Sequence, residues 1–316
     1  MALGSAGLSF INYYDLAAWS VSIVRSGGSG TVTPTNTANL KDRRLAAVAT
    51  ITCTSLAGGA VVQINCAGSS IAYCDVAALI GWADSSASMS GMEFRIQGYS
   101  DAAFATQVFD SGTVEIFDAD TFASGYNVDQ TDIPCKIMHT PPDRFAIQSL
   151  RITISRNAAL GQIGTRTLTV GRLWIGGSAR PATGAGSKSE FSAVDPSDVQ
   201  ESHGSQAYPN EFPRKWKLKL DFPALTTLEA FGAPDPSAGF IPFNIATAFR
   251  RNGMFEDVFA WLNDNTNAGG SSSTQIFLAL TAVYGRIVAW EPIKFVEARD
   301  AAGRVYRCSV TVEEER

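Results

Sequence analysis

The chain has 316 residues, a formal net charge of −5, 45% hydrophobic and only 17% charged residues, and 28 glycines. That length can bury one large β core or two ordinary ones, so stability requires neither disulfides nor metals. The composition excludes an intrinsically disordered chain, and the scattered Lys and Arg of an acidic protein of pI near 5.2 exclude the basic footprint of a nucleic-acid binder.

Low charge with plentiful Gly, Ser, Thr and Val suits many short strands joined by small-residue turns. It also suits a subunit that hides much of its surface in an assembly. Cys53, Cys66, Cys74, Cys135 and Cys308 form an odd set with no CxxC pair. They are expected as buried free thiols of a protein made in a reducing cytoplasm. The opening MALGSAGLSFINYYDL has no basic region and no continuous apolar stretch, so no secretion signal is expected. No apolar run approaches the roughly 20 residues of a membrane span, and no membrane insertion is expected.

In chain order, residues 1–39 mix Phe10, Tyr13, Tyr14 and Trp19 with the turn SGGSG and the Thr-rich TVTPTNTAN, and read as an extended arm or lead-in strand. LAAVATITC, AVVQINC and SIAYCDVAALIGW follow, each of strand length and separated by SLAGG and AGSS. MEFRIQGY alternates Phe94 and Ile96 with Glu93, Arg95 and Gln97, as a half-buried strand requires. QSLRITIS and TLTVGRLWIG repeat the pattern. Residues 40–177 are therefore expected to form an antiparallel sandwich.

Residues 178–213 turn polar and read as a linker loop. In RKWKLKLDF, Trp216, Leu218 and Leu220 alternate with Lys215, Lys217 and Lys219, which predicts a strand opening a second β-rich domain over 214–316. One short helix is expected in DFPALTTLEAFG, with Asp221 as cap, Pro223 at an early position and Gly232 closing it. VFAWLND, QIFLALTAVYGRIVAWEPIKFVEA and VYRCSVTVEEE supply the remaining strands. The fold class is mainly β.

Chemistry is sparse. His139 and His203 each stand alone in loop-like contexts without a ligand partner at metal spacing, and are expected at the surface or in turns. GGSARPATGAGSKS places Lys188 after a strand but lacks the preceding Gly and a following helix, so it reads as a linker rather than a phosphate loop. Asp118 and Asp120 of FDADTF could supply oxygen ligands to calcium or accept hydrogen bonds from glycan hydroxyls, without the spacing of a complete calcium loop. Of the six Trp, five lie in apolar strand runs, where packing is commoner than sugar stacking. No cofactor and no catalytic set is expected.

The order NLKDRRLAAVAT, VVQINC, AYCDVAALIGW, MEFRIQGYSDAAF and FDSG resembles the galactose-binding-like module of tailed-bacteriophage structural proteins. GRLWIGG, SKSEFSAVDPSDVQESHGSQAYP, RKWKLKLDFPALTTLEAFG and YGRIVAWEPIKF resemble the part of distal-tail or baseplate proteins that follows that sandwich. The chain departs at Trp82, where the related strand end carries His-Asn, and at VFAWLNDN, where related chains show a Pro-Asp segment.

The resemblance implies a jelly-roll sandwich plus a ring-forming β domain, and a non-enzymatic virion protein of the tail tip, made in the host cytoplasm. It would link tail tube, hub and receptor-binding fibres in a trimeric or hexameric ring of its own copies. Its contacts are expected at Tyr13 and Trp19 in the arm, at Arg214, Trp216 and Lys217, and at Tyr284, Arg286 and Trp290. The alternative is a carbohydrate-binding adhesion module whose loops grip host glycans. A third reading, an envelope-glycan depolymerase, lacks a nucleophile, base or metal set.

Overall fold

The computed structural model describes residues 6–28, 30–54, 61–84, 91–115, 135–141, 143–157, 164–181, 184–194, 198–201, 207–210, 215–232, 244–251, 257–262, 276–278, 281–299 and 303–314. Its strands begin with β1 (Ala6–Ser9), β2 (Trp19–Ser26), β3 (Val32–Thr35), β4 (Ala49–Cys53), β5 (Val61–Cys74), β6 (Val76–Asp84), β7 (Met92–Tyr99), β8 (Gln107–Asp110) and β9 (Val114–Glu115). They continue with β10 (Cys135–His139), β11 (Phe145–Arg156), β12 (Arg166–Val170), β13 (Arg172–Gly176), β14 (Ser178–Ala179), β15 (Glu190–Val194), β16 (Asp198–Glu201) and β17 (Ala207–Asn210). Last come β18 (Lys215–Leu225), helices α1 (Thr227–Phe231) and α2 (Ile245–Arg251), β19 (Val258–Leu262), β20 (Ile276–Leu278), β21 (Ala282–Arg299) and β22 (Gly303–Glu314).

Two units share these elements: a sandwich unit of Ile11–Gly177 with Gly269–Leu280, and a single-sheet unit of Met1–Phe10, Ser178–Ala268 and Thr281–Arg316. The sandwich sets the sheet β20-β10-β6-β12-β4-β3, with β13 also on β6, against β2-β5-β11-β7-β8, with β9 also on β7. Ile23, Ile64, Ile152 and Ile96 lie in register across β2, β5, β11 and β7, all buried. Each β-branched side chain sealed in this row stabilises the fold by roughly 1.5–3 kcal/mol. From the facing sheet, Trp82 meets Phe94 edge-on at 5.2 Å between ring centroids, an arrangement that puts the positive ring edge on the negative face.

The stretch to residue 39 is woven into both units rather than standing apart. β1 pairs with β14 and β19, while β2 lies along β5 with Trp19 opposite Gly68. A Cβ at position 68 would come within 2.5 Å of the Trp19 indole, so the bare backbone there makes room for the buried ring. Asn12 ties the segment to β13: its amide donates to the Leu173 carbonyl (2.8 Å) and its oxygen accepts from the Ile175 N–H (2.9 Å). Further on, Arg172 is wholly buried and donates to Asp15 Oδ2 (2.6 Å) and to the carbonyls of Lys41 and Asp42 (2.9 Å each).

The single-sheet unit orders its strands β14-β1-β19-β21-β22-β18-β15, all pairs antiparallel. On β18, Leu218, Leu220 and Phe222 are buried against the alternating Lys217, Lys219 and Asp221, the period-2 pattern expected of a strand with one wet side. The expected linker 178–213 carries β14, β15 and the β16–β17 hairpin. Its polar composition is that of edge strands, which carry charge and small residues where one side meets water.

The helix expectation needs two corrections. β18 continues through Pro223 to Leu225, with a register shift between Phe222 and Leu225, so Asp221 caps nothing. Thr226 is the cap: its hydroxyl accepts from the Glu229 N–H (3.2 Å) while the Glu229 carboxylate accepts from the Thr226 N–H (2.7 Å), a reciprocal capping box. A second helix, α2, starts on Asn244, whose side chain accepts from the Thr247 N–H at 2.8 Å.

Cys53, Cys66, Cys74 and Cys308 are free and buried, as expected. Desolvation pushes the Cys66 thiol well above its usual range, and that of Cys308 up to about 12. The thiolate is the nucleophile. Native alkylation at pH 8 followed by mass spectrometry should therefore leave Cys66 and Cys308 unmodified, with complete labelling in denaturant. Labelling of either in the folded protein would contradict this packing.

Candidate functional site

Among the described residues, Leu16, Val24 and Ile71 are exposed singly on the sandwich unit, and the other five exposed large apolar side chains lie in the single-sheet unit. Val288, Trp290, Phe295 and Val296 on β21 and Phe231 at the end of α1 are all open to water, Trp290 at 49% and Phe295 at 57% exposure. They are organised rather than scattered: Phe249 of α2 stacks on Trp290 with 6.0 Å between centroids, and Tyr306 of β22 receives Phe231 (5.0 Å) and Phe295 (5.9 Å) edge-on. The rings form a ledge where the helices meet the β21–β22 hairpin. Exposed apolar surface of this kind marks association sites, and aromatic side chains are its commonest anchors.

The structure distributes the expected contact residues unequally. Trp290 lies on the ledge. Tyr284, six residues earlier, is buried and donates its hydroxyl to Asp257 Oδ2 at 2.6 Å, and Trp19 is buried in the sandwich; neither ring is available to a partner without unfolding. Tyr13 is partly buried against the sandwich core. Trp216 is half-buried and lies flat on Phe191 at 4.8 Å. Lys217 pairs with Glu313 directly across the β18–β22 ladder at 3.2 Å, and Arg286 is half-buried on β21. Arg214, Asp118 and Asp120 lie outside the described residues, as does His203.

His139 is a correction: it is buried at the end of β10, with its ring 5.6 Å from Phe109. β10 lies between β6 and β20, so a residue that reads as loop from MHTPPD is closed over by its neighbours. Among the described residues no group of three or more His, Cys, Asp or Glu is placed to hold a metal, and no helix is long and apolar enough to cross a membrane.

The sandwich has a second organised surface, the outer face of β5, β11 and β7. Its rim is the loop after β7, where the Asp101 carboxylate accepts the N–H groups of Ala103 (2.9 Å), Ala105 (3.0 Å) and Thr106 (2.6 Å). This holds Phe104 at a positive φ of 61°, a conformation that costs a non-glycine residue on the order of 1 kcal/mol. The bond from the Ala105 N–H, with those from Thr106 and Ala103, keeps Asp101 below the usual carboxylate range.

A depressed folded-state pKa means the loop's contribution is fully present above the ordinary carboxylate value of ~4. It is lost as pH falls through the lower folded value. Hydrogen-exchange protection of the Ala103, Ala105 and Thr106 amides should accordingly be lost only as the pH falls below the ordinary carboxylate range, and should be weak at neutral pH in Asp101→Ala. Unchanged protection in that variant would show that the loop is held by other means.

Comparison with known proteins adds little to this geometry. No protein-family model matches the chain, and no curated protein matches it. Among solved structures it is similar to one described as CpGH89CBM32-6 produced by Clostridium perfringens, at 12% identity and a TM-score of 0.32, over 53% of this chain and all of that one. A likeness of that size assigns this chain neither a fold family nor a ligand.

Proposed function

We propose that the chain is a structural subunit of a bacteriophage tail tip, a distal-tail or baseplate ring protein that joins the tail tube to the hub and receptor-binding fibres. The observation that carries this reading is the aromatic ledge: Trp290 and Phe295 are each about half exposed on a long hairpin whose other rings brace them. A single chain gains nothing by leaving such rings in water, whereas a neighbouring copy covering them gains on the order of 2 kcal/mol per well-packed anchor. The resemblance of segments along most of the sequence to distal-tail proteins supports a tail-tip assembly. The ledge supports this reading by offering an exposed aromatic surface for such contacts.

Light scattering over a concentration series, with negative-stain images of any large species, tests this directly. A threefold or sixfold ring is the expected result. Trp290→Ser combined with Phe295→Ser should weaken assembly by at least 100-fold, in line with two lost anchors, while the melting temperature changes little because both side chains are already wet. A wild-type monomer at every concentration would overturn the reading. So would rings that survive the double substitution.

A further inference from the structure

The outer face of the sandwich sheet β5-β11-β7 carries an open groove of about 640 Å³, within the size range of ligand sites. Its charged lining is one-sided: Arg95, Arg151 and Arg156 stand there against Glu93, in a chain whose formal total is −5. Amides and hydroxyls, among them Gln63, Gln97, Thr153 and Ser155, fill the space between.

Arg151, on the middle strand, is held without being neutralised. Its Nε donates to Asn65 Oδ1 at 2.9 Å, its Nη1 to the Tyr99 hydroxyl at 3.4 Å, and the guanidinium lies over the Tyr99 and Phe104 rings at 5.4 and 4.8 Å. These partners are uncharged, and no carboxylate pairs with Arg151 among the described residues. A guanidinium fixed in this way has a planar set of donors ready for an anion and gives up little freedom on binding. Arg95 is oriented by Asp110, which accepts from Nε at 2.9 Å and more closely from Nη2. Its Nη1 hydrogens have no partner among the described residues.

Spacing selects the ligand. Thr153 is directly opposite Arg95 on the ladder, so Arg151, two residues from Thr153, is the diagonal neighbour of Arg95, roughly 7–8 Å away along the sheet. Side chains two positions apart on an extended peptide are separated by about 6.8 Å, which suits one carboxylate to each guanidinium. Glu93, two positions from Arg95 on the same face of β7, repels a third negative charge in that direction. An unbroken polyanion is thereby disfavoured, whereas a pair of acids flanked by uncharged residues is not. We infer that this groove binds an extended acidic segment of a partner protein with an acid–x–acid pattern, one carboxylate on Arg151 and one on Arg95, the amides and hydroxyls of the lining serving its backbone. The inference rests on the groove alone and stands whether or not the ledge builds a ring.

Titration calorimetry on the full chain is the test, with an acetylated and amidated octapeptide of Ser and Gly carrying Asp at its third and fifth positions. The same peptide with Asn at both positions and inorganic tripolyphosphate are the comparisons. Saturable binding of the Asp peptide is expected, tighter than that of either comparison and weakened by added sodium chloride. Arg151→Gln should weaken it by at least tenfold, the loss of one charge-assisted contact. Glu93→Gln keeps an acceptor for the Ser155 hydroxyl, which donates to Glu93 at 3.0 Å, and removes a like charge, so it should tighten binding by about threefold. A purely structural role for Glu93 predicts no such gain. The inference fails if the Asn peptide binds as well as the Asp peptide, if tripolyphosphate binds more tightly, if a folded Arg151→Gln binds unchanged, or if Glu93→Gln brings no gain.

Discussion

Gly285→Ala is expected to lower the unfolding temperature by on the order of 10 °C, the equivalent of about 3 kcal/mol in a unit of this size. Gly285 lies between two strands at once, opposite Val258 of β19 and Glu314 of β22. A Cβ built there falls 1.8 Å from the Glu313 carbonyl oxygen and 2.7 Å from its carbon. Those atoms belong to a hydrogen-bonded ladder, so no side chain can rotate away to relieve the overlap; β22 itself has to shift, and Val310 and Val312 shift with it out of the core. Gly164→Ala, with nothing within 4 Å of its Cβ, is the control, and scanning calorimetry the measurement. If the two variants melt alike, the close approach of β21 to β22 is not a feature of the folded protein.

Asp15→Ala should cost about 3 kcal/mol, near the lower end for breaking a buried ion pair. The Arg172 guanidinium has no exposure at all, whereas Asp15 is about one-third exposed, so solvent screens part of the attraction and the top of that range is not reached. Removing the carboxylate leaves the cation desolvated on the side where its counter-charge stood. The double variant Asp15→Ala/Arg172→Leu takes away both the charge and its need, and should recover at least half of the loss. Urea unfolding of the two variants decides it: a single variant no less stable than the double would show that the pair contributes little.

These two sites illustrate what could be read from residues alone. Alternation in RKWKLKLDF and MEFRIQGY is local, and the strands it predicts are β18 and β7; buried thiols followed from apolar runs around Cys53 and Cys66. The Asp15–Arg172 pair spans more than 150 residues and no local pattern announces it. The missed helix α2 is seven residues long, too short for an apolar period to rise above its surroundings, though Asn244 three residues before Thr247 is a cap signal that could have been used. Thr226 with Glu229 was equally visible as a capping box, but Pro223 drew the helix start too early. In YGRIVAWEPIKF, apolar density marks the whole segment; only the register of β21 on β19 and β22 separates the buried Tyr284 from the exposed Trp290. The hydrogen-bonded polar side chains on the outer face of β5, β11, β7 and β8 come from separate strands, and each of them alone reads as an ordinary solvent-facing position.

The pairing of β1 with β19 sets an order of events during synthesis. Ala6–Ser9 leaves the ribosome ahead of the sandwich strands, but the strand beside it, Val258–Leu262, is made only some 250 residues later. At ordinary elongation rates of about 5–20 residues per second, the first strand waits roughly ten seconds or longer with its hydrogen-bonding edge unclaimed, while most of the sandwich is complete and free to fold ahead of it. The sandwich has its own latecomer, since β20 joins β10 only after residue 278 is out. Each unit therefore has a strand whose partner is made long after it, and β1 and β10 each carry an open edge until β19 and β20 have emerged.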